Sequence, residues 1–346
     1  MQKVPYMKPR ERFLAALCGK QFDVYPVASI TSTANREGMA KTKCFFPEAH
    51  FKAYDMATLS SFAHDEYGFD SVAPYFSLHL EASRFGAEVD WGNEYSMPRI
   101  TSSPKPMLED LKCNDKFFTQ GITKELLTAI KSISKRYQGR VAIVGKVVGP
   151  WTLMYHLYGV ENVLLDSIVE PELVKARLEK LTDFSIRFAS LQFSEGADAV
   201  VWADHVTSDL VSRGLYERLL LPFHKRAVEE LGVDKPLILH VCGNVEAKFG
   251  LFEKAGFAAF HADSRNDIKT LSAMREKMVL IGSVNNPKTL LGSLPTYVKA
   301  EGLKNIKDGV DILSPECAIP TSVPGVNLKA LSEVGHGTRP KVATTT

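Results

Sequence analysis

The 346-residue sequence has no long hydrophobic run. A membrane-spanning helix needs about 18 or more consecutive apolar residues, and no stretch of this chain reaches that length without charges. The formal net charge is only +2, from 42 basic and 40 acidic residues, and no basic patch is interleaved with aromatic residues. The sequence therefore predicts neither a membrane span nor a nucleic-acid partner.

Cysteine is also scarce. The chain has five cysteines, an odd number spread over its whole length, and its charged N-terminus carries no secretory hydrophobic segment. A disulfide framework is not expected from this usage, and a reducing compartment fits it better. We therefore expect a cytoplasmic protein.

Several common catalytic motifs are missing. The sequence has no GxGxxG motif after a strand, no GxSxG motif and no HExxH motif. Nucleotide-dependent redox chemistry, the common serine hydrolases and zincin proteolysis therefore lack their usual signatures.

What the chain does have is a regular alternation of apolar runs and amphipathic helical segments. The predicted strands cover residues 24–30, 70–76, 140–148, 198–204, 236–242, 258–263, 278–284 and 310–316. Eight such units predict a parallel sheet closed into a (β/α)8 TIM-type barrel. We expect a single barrel domain over residues 1–346, with a helical N-terminal extension to about residue 20, a C-terminal tail from about residue 336 and loop insertions after the early strands.

One of these runs ends in His240 and Cys242. Side chains two residues apart on a strand point to the same face, so both can bind one metal ion. Another run ends near Cys317, and the ends of barrel strands are where active sites lie. One histidine and two thiolates are typical of catalytic zinc with one open position. The same residues also fit a hydrogen-bonded core histidine and two buried thiols.

Other polar residues follow predicted strands. Asp204, His205 and Asn285 stand at such ends. Each can take part in catalysis, and each can equally cap the turn into the next helix.

Over nearly its whole length, the chain resembles a known family. The matching segments are residues 10–17, 47–50, 85–89, 149–153, 240–244 and 315–318. They are similar to the uroporphyrinogen decarboxylase superfamily, specifically its methylcobamide:coenzyme M methyltransferases. The most specific pieces are the two that contain His240, Cys242 and Cys317.

The resemblance implies a TIM-type barrel with zinc bound by His240, Cys242 and Cys317. It also implies transfer of a methyl group from a methyl-Co(III) corrinoid, supplied by a partner protein, to the thiol of coenzyme M in methanogenesis from methylated one-carbon compounds. Decarboxylases of the superfamily carry glutamine and arginine after the first strand and aspartate after the second. Here only Arg36 is comparable, and residues 74–78 hold no aspartate, which argues against porphyrinogen decarboxylation.

Some roles stay open at the level of sequence. Glu81 and Asp204 are candidates for the fourth zinc position, and Asn285 is a further candidate near the site. The cations that could bind the sulfonate of coenzyme M are Arg36, Lys146, Arg213 and Arg265. The alternatives are a methyltransferase with another thiol acceptor, such as homocysteine, and a non-catalytic barrel whose structural zinc supports binding of a corrinoid protein.

Overall fold

The computed structural model describes residues 4–112 and 114–340, and its centre is a parallel sheet. Seven strands follow one another around this sheet in chain order, and every neighbouring pair is parallel. These strands are β1 (Ser71–Val72), β4 (Ala142–Val148), β5 (Ala199–Ala203), β6 (Leu237–Val241), β7 (Ala259–Ala262), β8 (Val279–Val284) and β9 (Ile312–Pro315). An antiparallel hairpin outside this sheet consists of β2 (Glu88–Asp90) and β3 (Arg99–Ser102).

Helices connect the strands and cover the outer face of the sheet. They are α1 (Pro9–Leu17), α2 (Arg36–Thr42), α3 (Ala53–Asp65), α4 (Leu80–Arg84), α5 (Asp115–Thr119), α6 (Gly121–Tyr137), α7 (Pro150–Tyr158), α8 (Val160–Val169), α9 (Pro171–Ser194), α10 (Arg213–Leu215), α11 (Leu221–Leu231), α12 (Phe249–Ala255), α13 (Ile268–Met274), α14 (Pro295–Asp308) and α15 (Gly325–Gly337). Shorter 3-10 or π turns occur at Glu48–His50, Leu108–Asp110, Tyr216–Leu220, Glu246–Lys248 and Asn286–Leu291. Within the described ranges, no helix combines the length and the apolar character needed to cross a bilayer.

The barrel closes through the first predicted strand, at residues 24–30. The amide of Ala28 donates to the carbonyl of Leu313 over 2.9 Å, and the amide of Leu313 donates to Pro26 over 2.9 Å. On the other side, the amide of Asp70 donates to Val27 over 2.7 Å. This segment therefore lies between β9 and β1, and the predicted TIM-type barrel is confirmed.

The expectation of a regular strand at 24–30 was wrong, because only one isolated bridge forms there, from Val27 to β9. Pro26 has no amide hydrogen to give to a ladder. Side chains take the next positions: the Val27 amide donates to the carboxylate of Asp70, and the Ser29 amide donates to the hydroxyl of Ser71. These side-chain bonds replace the backbone pairs of a regular strand.

The barrel interior is apolar at its N-terminal end and polar at its C-terminal end. Small and branched side chains from alternate strand positions form one buried cluster, which helix α1 covers with Phe13. The cluster comprises Phe13, Ala16, Leu17, Phe22, Ala28, Ile30, Ala73, Ala142, Val144, Ala199, Val201, Ala203, Ile238, Ala259, Val279, Ile281 and Ile312. Because side chains alternate along a strand, the next inward positions are Lys146, His240, His261, Ser283 and Ser314. The predicted N-terminal helical extension therefore closes the end opposite the polar layer.

The last regular element of the described chain is helix α15. Helix α15 ends at Gly337, and residues 1–3 and 341–346 lie outside the described ranges. The loop insertion predicted after the early strands is present, since β2 and β3 lie between β1 and β4. Pro98, which precedes β3, accepts a hydrogen bond from the ring of His79 over 3.1 Å.

Candidate metal centre

Two cysteines and a histidine meet at the C-terminal mouth of the barrel. His240 is the penultimate residue of β6, Cys242 directly follows that strand, and Cys317 is the second residue after β9. The Nε2 atom of His240 lies 3.3 Å from the Sγ atom of Cys242 and 3.5 Å from that of Cys317, and the two sulfur atoms are 3.4 Å apart. A disulfide needs about 2.05 Å between its sulfurs. Both thiols are therefore free.

This donor set fits a zinc ion. With zinc–sulfur bonds of about 2.3 Å and zinc–nitrogen bonds of about 2.0–2.1 Å, the edges of a tetrahedron are about 3.5–3.8 Å long. The three observed separations lie at or just below those edges. In the described part of the chain, no other group of three or more His, Cys, Asp or Glu ligand atoms lies within 4.8 Å of one another.

A backbone carbonyl fixes the ring of His240. The Nδ1 atom lies 3.3 Å from the carbonyl oxygen of His261, so Nδ1 carries the proton and Nε2 presents its lone pair to the two sulfurs. The rings of His240 and His261 stack at 4.6 Å, and Nε2 of His261 donates to the carbonyl of Pro315 over 2.8 Å. Burial lowers the pKa of His261 well below its ordinary value, so that ring stays neutral under the site.

The two thiols differ in acidity. The pKa of Cys317 lies well below its ordinary value, because the thiol of Cys242 donates to its sulfur and His240 is adjacent. The pKa of Cys242 lies well above its ordinary value, since it gives that hydrogen bond and is buried. A first thiolate therefore forms easily at this site, and a cation is needed to stabilise a second.

A buried lysine lies below the thiols. Lys146 on β4 is 3% exposed, and its Nζ atom lies 4.7 Å from the ring centre of Tyr75. Burial lowers its pKa to about 8, although the charges of Cys317, Glu81 and Cys242 act in the opposite direction. This cation offsets negative charge at the floor of the site.

Neither of the two carboxylates proposed for the fourth position belongs to the cluster of ligand atoms. Asp204 accepts hydrogen bonds at Oδ1 from the amide of Thr152 over 2.6 Å and at Oδ2 from the ring of His224 over 2.9 Å. Glu81 accepts hydrogen bonds from the hydroxyl of Tyr75 and, over 2.9 Å, from the amide of Val148. Both carboxylates are thus held by protein donors.

Asn285 and Arg36 have other partners. Asn285 caps the turn at Asn286–Leu291, where its side chain accepts from the amide of Lys288 over 2.7 Å. The exposed guanidinium of Arg36 lies 5.3 Å from the ring centre of Tyr95.

The remaining cation candidates are exposed. Arg265 pairs with Asp263 over 3.2 Å, and Arg213 donates to the carbonyl of Ala247 over 2.7 Å. Among the four cations considered from sequence, Lys146 alone is buried near the thiols.

Sequence reasoning missed two histidines at the mouth, His79 and His156. Their rings lie 4.9 Å apart, and the amide of His205 donates over 2.6 Å to the hydroxyl of Thr152, which lies one turn before His156 on α7. His205 could be identified from the sequence, because it directly follows a predicted strand. The other two lie several residues into loop and helix, so no strand-end rule could identify them.

Comparison with known proteins assigns this barrel to a family. The family model described as uroporphyrinogen decarboxylase (URO-D) matches residues 8–338. The chain is 31% identical over 329 residues to methylcobamide:CoM methyltransferase MtbA of Methanosarcina acetivorans, covering 94% of this chain and 96% of that protein. It is 29% identical over 328 residues to a methylated-thiol–coenzyme M methyltransferase of Methanosarcina mazei, covering 94% of this chain and 89% of that protein.

A solved structure agrees with this assignment. A methyltransferase from Methanosarcina mazei superposes with a TM-score of 0.91 at 29% identity, over 96% of this chain and 99% of that one. The chain therefore belongs to the uroporphyrinogen decarboxylase family, and its full-length likeness to these enzymes marks it as a methyltransferase.

Proposed function

We propose that the protein moves a methyl group from a methyl-Co(III) corrinoid, carried by a partner protein, to the thiol of coenzyme M, in methanogenesis from methylated one-carbon compounds. The observation that carries this proposal is the convergence of His240, Cys242 and Cys317 within 3.5 Å at the open end of the barrel. The names of both relatives include coenzyme M, which supports coenzyme M as the acceptor, and the name of the first includes methylcobamide, which supports a corrinoid donor.

The three side chains would hold a zinc ion, with Nε2 of His240 and the two sulfurs as ligands. Bound zinc would lower the pKa of the acceptor thiol so that it reacts as a thiolate. A sulfur–carbon bond then forms while the cobalt–carbon bond breaks. The bonding electrons stay on cobalt, which gives methyl-coenzyme M and Co(I), and the thiol proton is released.

The residues around the cluster orient and balance it. The carbonyl of His261 holds the ring of His240 so that Nε2 faces the sulfurs. Lys146 supplies positive charge below the two thiolates, and the apolar layer beneath it keeps water out of the barrel. Transfer of a methyl group depends chiefly on alignment of the reacting atoms, and a rigid strand-end site provides it.

The proposal is tested first by metal content. Purified protein is expected to contain about one zinc per chain, and Cys317→Ala should lose most of it because one of three ligands is gone. Cys18→Ala is the matched control, since Cys18 is exposed and lies outside the cluster. Equal zinc content in the Cys317→Ala variant and the control would contradict the proposed site.

The acceptor is tested by turnover. Methylcobalamin and zinc-loaded protein are expected to yield methyl-coenzyme M and cob(I)alamin, seen by absorbance, at a rate that falls sharply when a chelator removes zinc. Homocysteine should be methylated far more slowly. It carries an ammonium and a carboxylate in place of the sulfonate, and these groups would leave polar atoms of the sulfonate-binding site without hydrogen-bond partners. Equal rates with both thiols would exclude coenzyme M as the specific acceptor, and no transfer to any thiol would exclude the proposed reaction.

A further inference from the structure

Three histidines line the barrel mouth beside His240, Cys242 and Cys317, which we call the metal cluster. His79 lies between β1 and α4, His156 lies on α7 after β4, and His205 is the second residue after β5. Because β1, β4 and β5 are neighbours in the sheet, these side chains come together. The rings of His79 and His156 meet edge to face at 4.9 Å and 66°. We call these three residues the histidine cluster.

Each ring of the histidine cluster has a buried nitrogen without a hydrogen-bond partner. The atoms are Nδ1 of His79, Nδ1 of His156 and Nε2 of His205. A buried polar atom left unpaired costs about 1–3 kcal/mol, and a native protein usually satisfies it with a ligand or an ordered water. Unpaired atoms in three rings at neighbouring strand ends favour a polar ligand at this part of the mouth.

The histidine cluster is continuous with the metal cluster. The amide of His205 donates over 2.6 Å to the hydroxyl of Thr152, which lies one turn before His156 on α7. Asp204, the residue before His205, donates its amide to the carbonyl of His240 over 3.0 Å. The histidine cluster and the metal cluster therefore stand at neighbouring strand ends of one mouth, so a ligand at the sulfurs can extend toward these rings.

The chemistry of the rings favours an anion over a second metal ion. In residues 4–112 and 114–340, the metal cluster is the only set of three ligand atoms close enough to hold a cation. Asp204, the acid that directly precedes His205, already accepts bonds from Thr152 and His224. An imidazole whose free nitrogen is protonated donates one N–H bond, and two such donors fit the oxygens of one anionic group.

We propose that His156 and His205 bind the sulfonate end of the thiol acceptor through ring N–H groups, with His79 as a positioning residue. Nε2 of His79 donates to the carbonyl of Pro98, so its Nδ1 is unprotonated in the neutral ring, and its contribution is to fix the ring of His156. This inference rests on the proposed function, since it takes the group at the sulfurs to be a thiol with a sulfonate two carbons away.

The test separates the two ends of the acceptor. Ethanesulfonate carries the sulfonate without the thiol, and 2-mercaptoethanol carries the thiol without the sulfonate. Calorimetry on zinc-loaded protein should show ethanesulfonate binding at least tenfold more tightly than its neutral analogue ethyl methyl sulfone. His156→Phe and His205→Phe remove the donor and keep a ring, so each should weaken ethanesulfonate about 10-fold to 100-fold and leave 2-mercaptoethanol unchanged.

Matched variants keep the donor. Asn in place of His156 and Gln in place of His205 retain an N–H near the original nitrogen, so His156→Asn and His205→Gln should restore much of the ethanesulfonate affinity. Independently of any variant, histidine ¹⁵N resonances of the wild-type protein should shift on addition of ethanesulfonate.

Three results would overturn this assignment. They are equal binding of ethanesulfonate and the sulfone, equal loss of both probes in the Phe variants, and unshifted histidine resonances. If 2-mercaptoethanol and coenzyme M are methylated equally while ethanesulfonate does not bind, the sulfonate site is wrong and methyl transfer to thiols stands. If no thiol is methylated, the proposed function fails, whatever the binding of ethanesulfonate shows.

Discussion

Glu81 is a fully buried carboxyl group that loses its proton at a higher pH than an exposed glutamate does. Burial raises its pKa from 4.5 to about 7, although hydrogen bonds from Tyr75 and Val148 oppose the shift. The folded protein therefore holds this proton more strongly than the unfolded chain does. Its contribution to stability is complete below pH 4.5 and is lost as the pH rises to about 7.

Glu81→Gln should remove this pH dependence. Glutamine does not ionise, so the free energy of unfolding of the variant, relative to wild type, should rise by about 3 kcal/mol between pH 5 and pH 8. Urea denaturation at the two pH values measures the difference. Glu217→Gln, at an exposed position, is the control and should follow the wild-type curve. Equal pH dependence in wild type and Glu81→Gln would show that Glu81 is ionised throughout.

At the scale of residues, the sequence predicts which side chains form the His–Cys–Cys cluster better than it predicts the hydrogen-bond partners of the surrounding carboxylates. His240 and Cys242 stand two apart on one strand, so a local rule places them on one face. The position of Cys317 near them can be predicted because the C-terminal ends of all barrel strands lie at the same mouth. The partners of Asp204 and Glu81 depend instead on how loops fold back, as Thr152 and Tyr75 show. No spacing in the chain records such contacts.

At the scale of elements, the junction of β5 and α7 shows how one carboxylate organises a helix. Asp204 follows β5 and accepts bonds from the amide and the hydroxyl of Thr152, over 2.6 and 2.9 Å, in the first turn of α7. Gly149 precedes that turn, and a Cβ atom there would lie 2.3 Å from Cγ of Asp204. Glycine is thus required because the carboxylate of another element occupies the capping position.

Asp204→Ala should destabilise the fold without removing the metal. It leaves His224 and the first turn of α7 without their acceptor, so the free energy of unfolding should fall by about 2–4 kcal/mol. Urea denaturation and zinc analysis of the same preparation give both readouts. Asp209→Ala, at an exposed position in the same loop, should change stability by less than about 1 kcal/mol. Loss of zinc with unchanged stability would instead make Asp204 a ligand.

The elements predicted most reliably are those with a continuous pattern. Each of the six predicted strands from residue 140 onward contains one of the strands β4 to β9. Apolar runs of strand length that alternate with amphipathic helical segments favour the strands of a parallel sheet. The segment at 24–30 has such a run, but Pro26 and the side chains of Asp70 and Ser71 replace its ladder. Because Asp70 and Ser71 belong to a neighbouring segment, the apolar run at 24–30 cannot by itself predict that their side chains replace its backbone ladder.

At the scale of the whole molecule, one buried aspartate connects both ends of the chain. Asp70 accepts hydrogen bonds from Arg12 over 2.7 Å, from the amide of Val27 over 2.8 Å and from His336 over 2.8 Å. These partners belong to α1, to the closing segment and to α15. The first and last helices are therefore held at the same point where the barrel closes.

Asp70→Ala should lower the free energy of unfolding by about 3 kcal/mol, because the buried Arg12 keeps Asp23 but loses Asp70, and the amide of Val27 loses its acceptor. Asp65→Ala, which breaks an exposed pair with Arg136, should cost less than about 1 kcal/mol. Thermal unfolding measured by circular dichroism and by tryptophan fluorescence gives both values. Equal effects of the two substitutions would show that closure does not depend on Asp70.

The same measurement bears on the domain organisation. The expectation of a single domain over residues 1–346 stays a prediction. It requires the two spectroscopic transitions to coincide, because one cooperative unit loses helix and tertiary packing together. Separate transitions would indicate two units.

The sealed lower half of the barrel restricts the order of events in the proposed reaction. Phe13 and the alanine, valine and isoleucine layer above it fill the described barrel interior toward the N-terminal end with apolar side chains. A thiol that loses its proton at the metal cluster must therefore release it through the mouth, and the corrinoid protein has to cover that mouth to present its methyl group. It follows that the acceptor enters and ionises first and that the methyl donor docks second. Initial-rate kinetics should accordingly show a compulsory sequence of substrate addition rather than a random one.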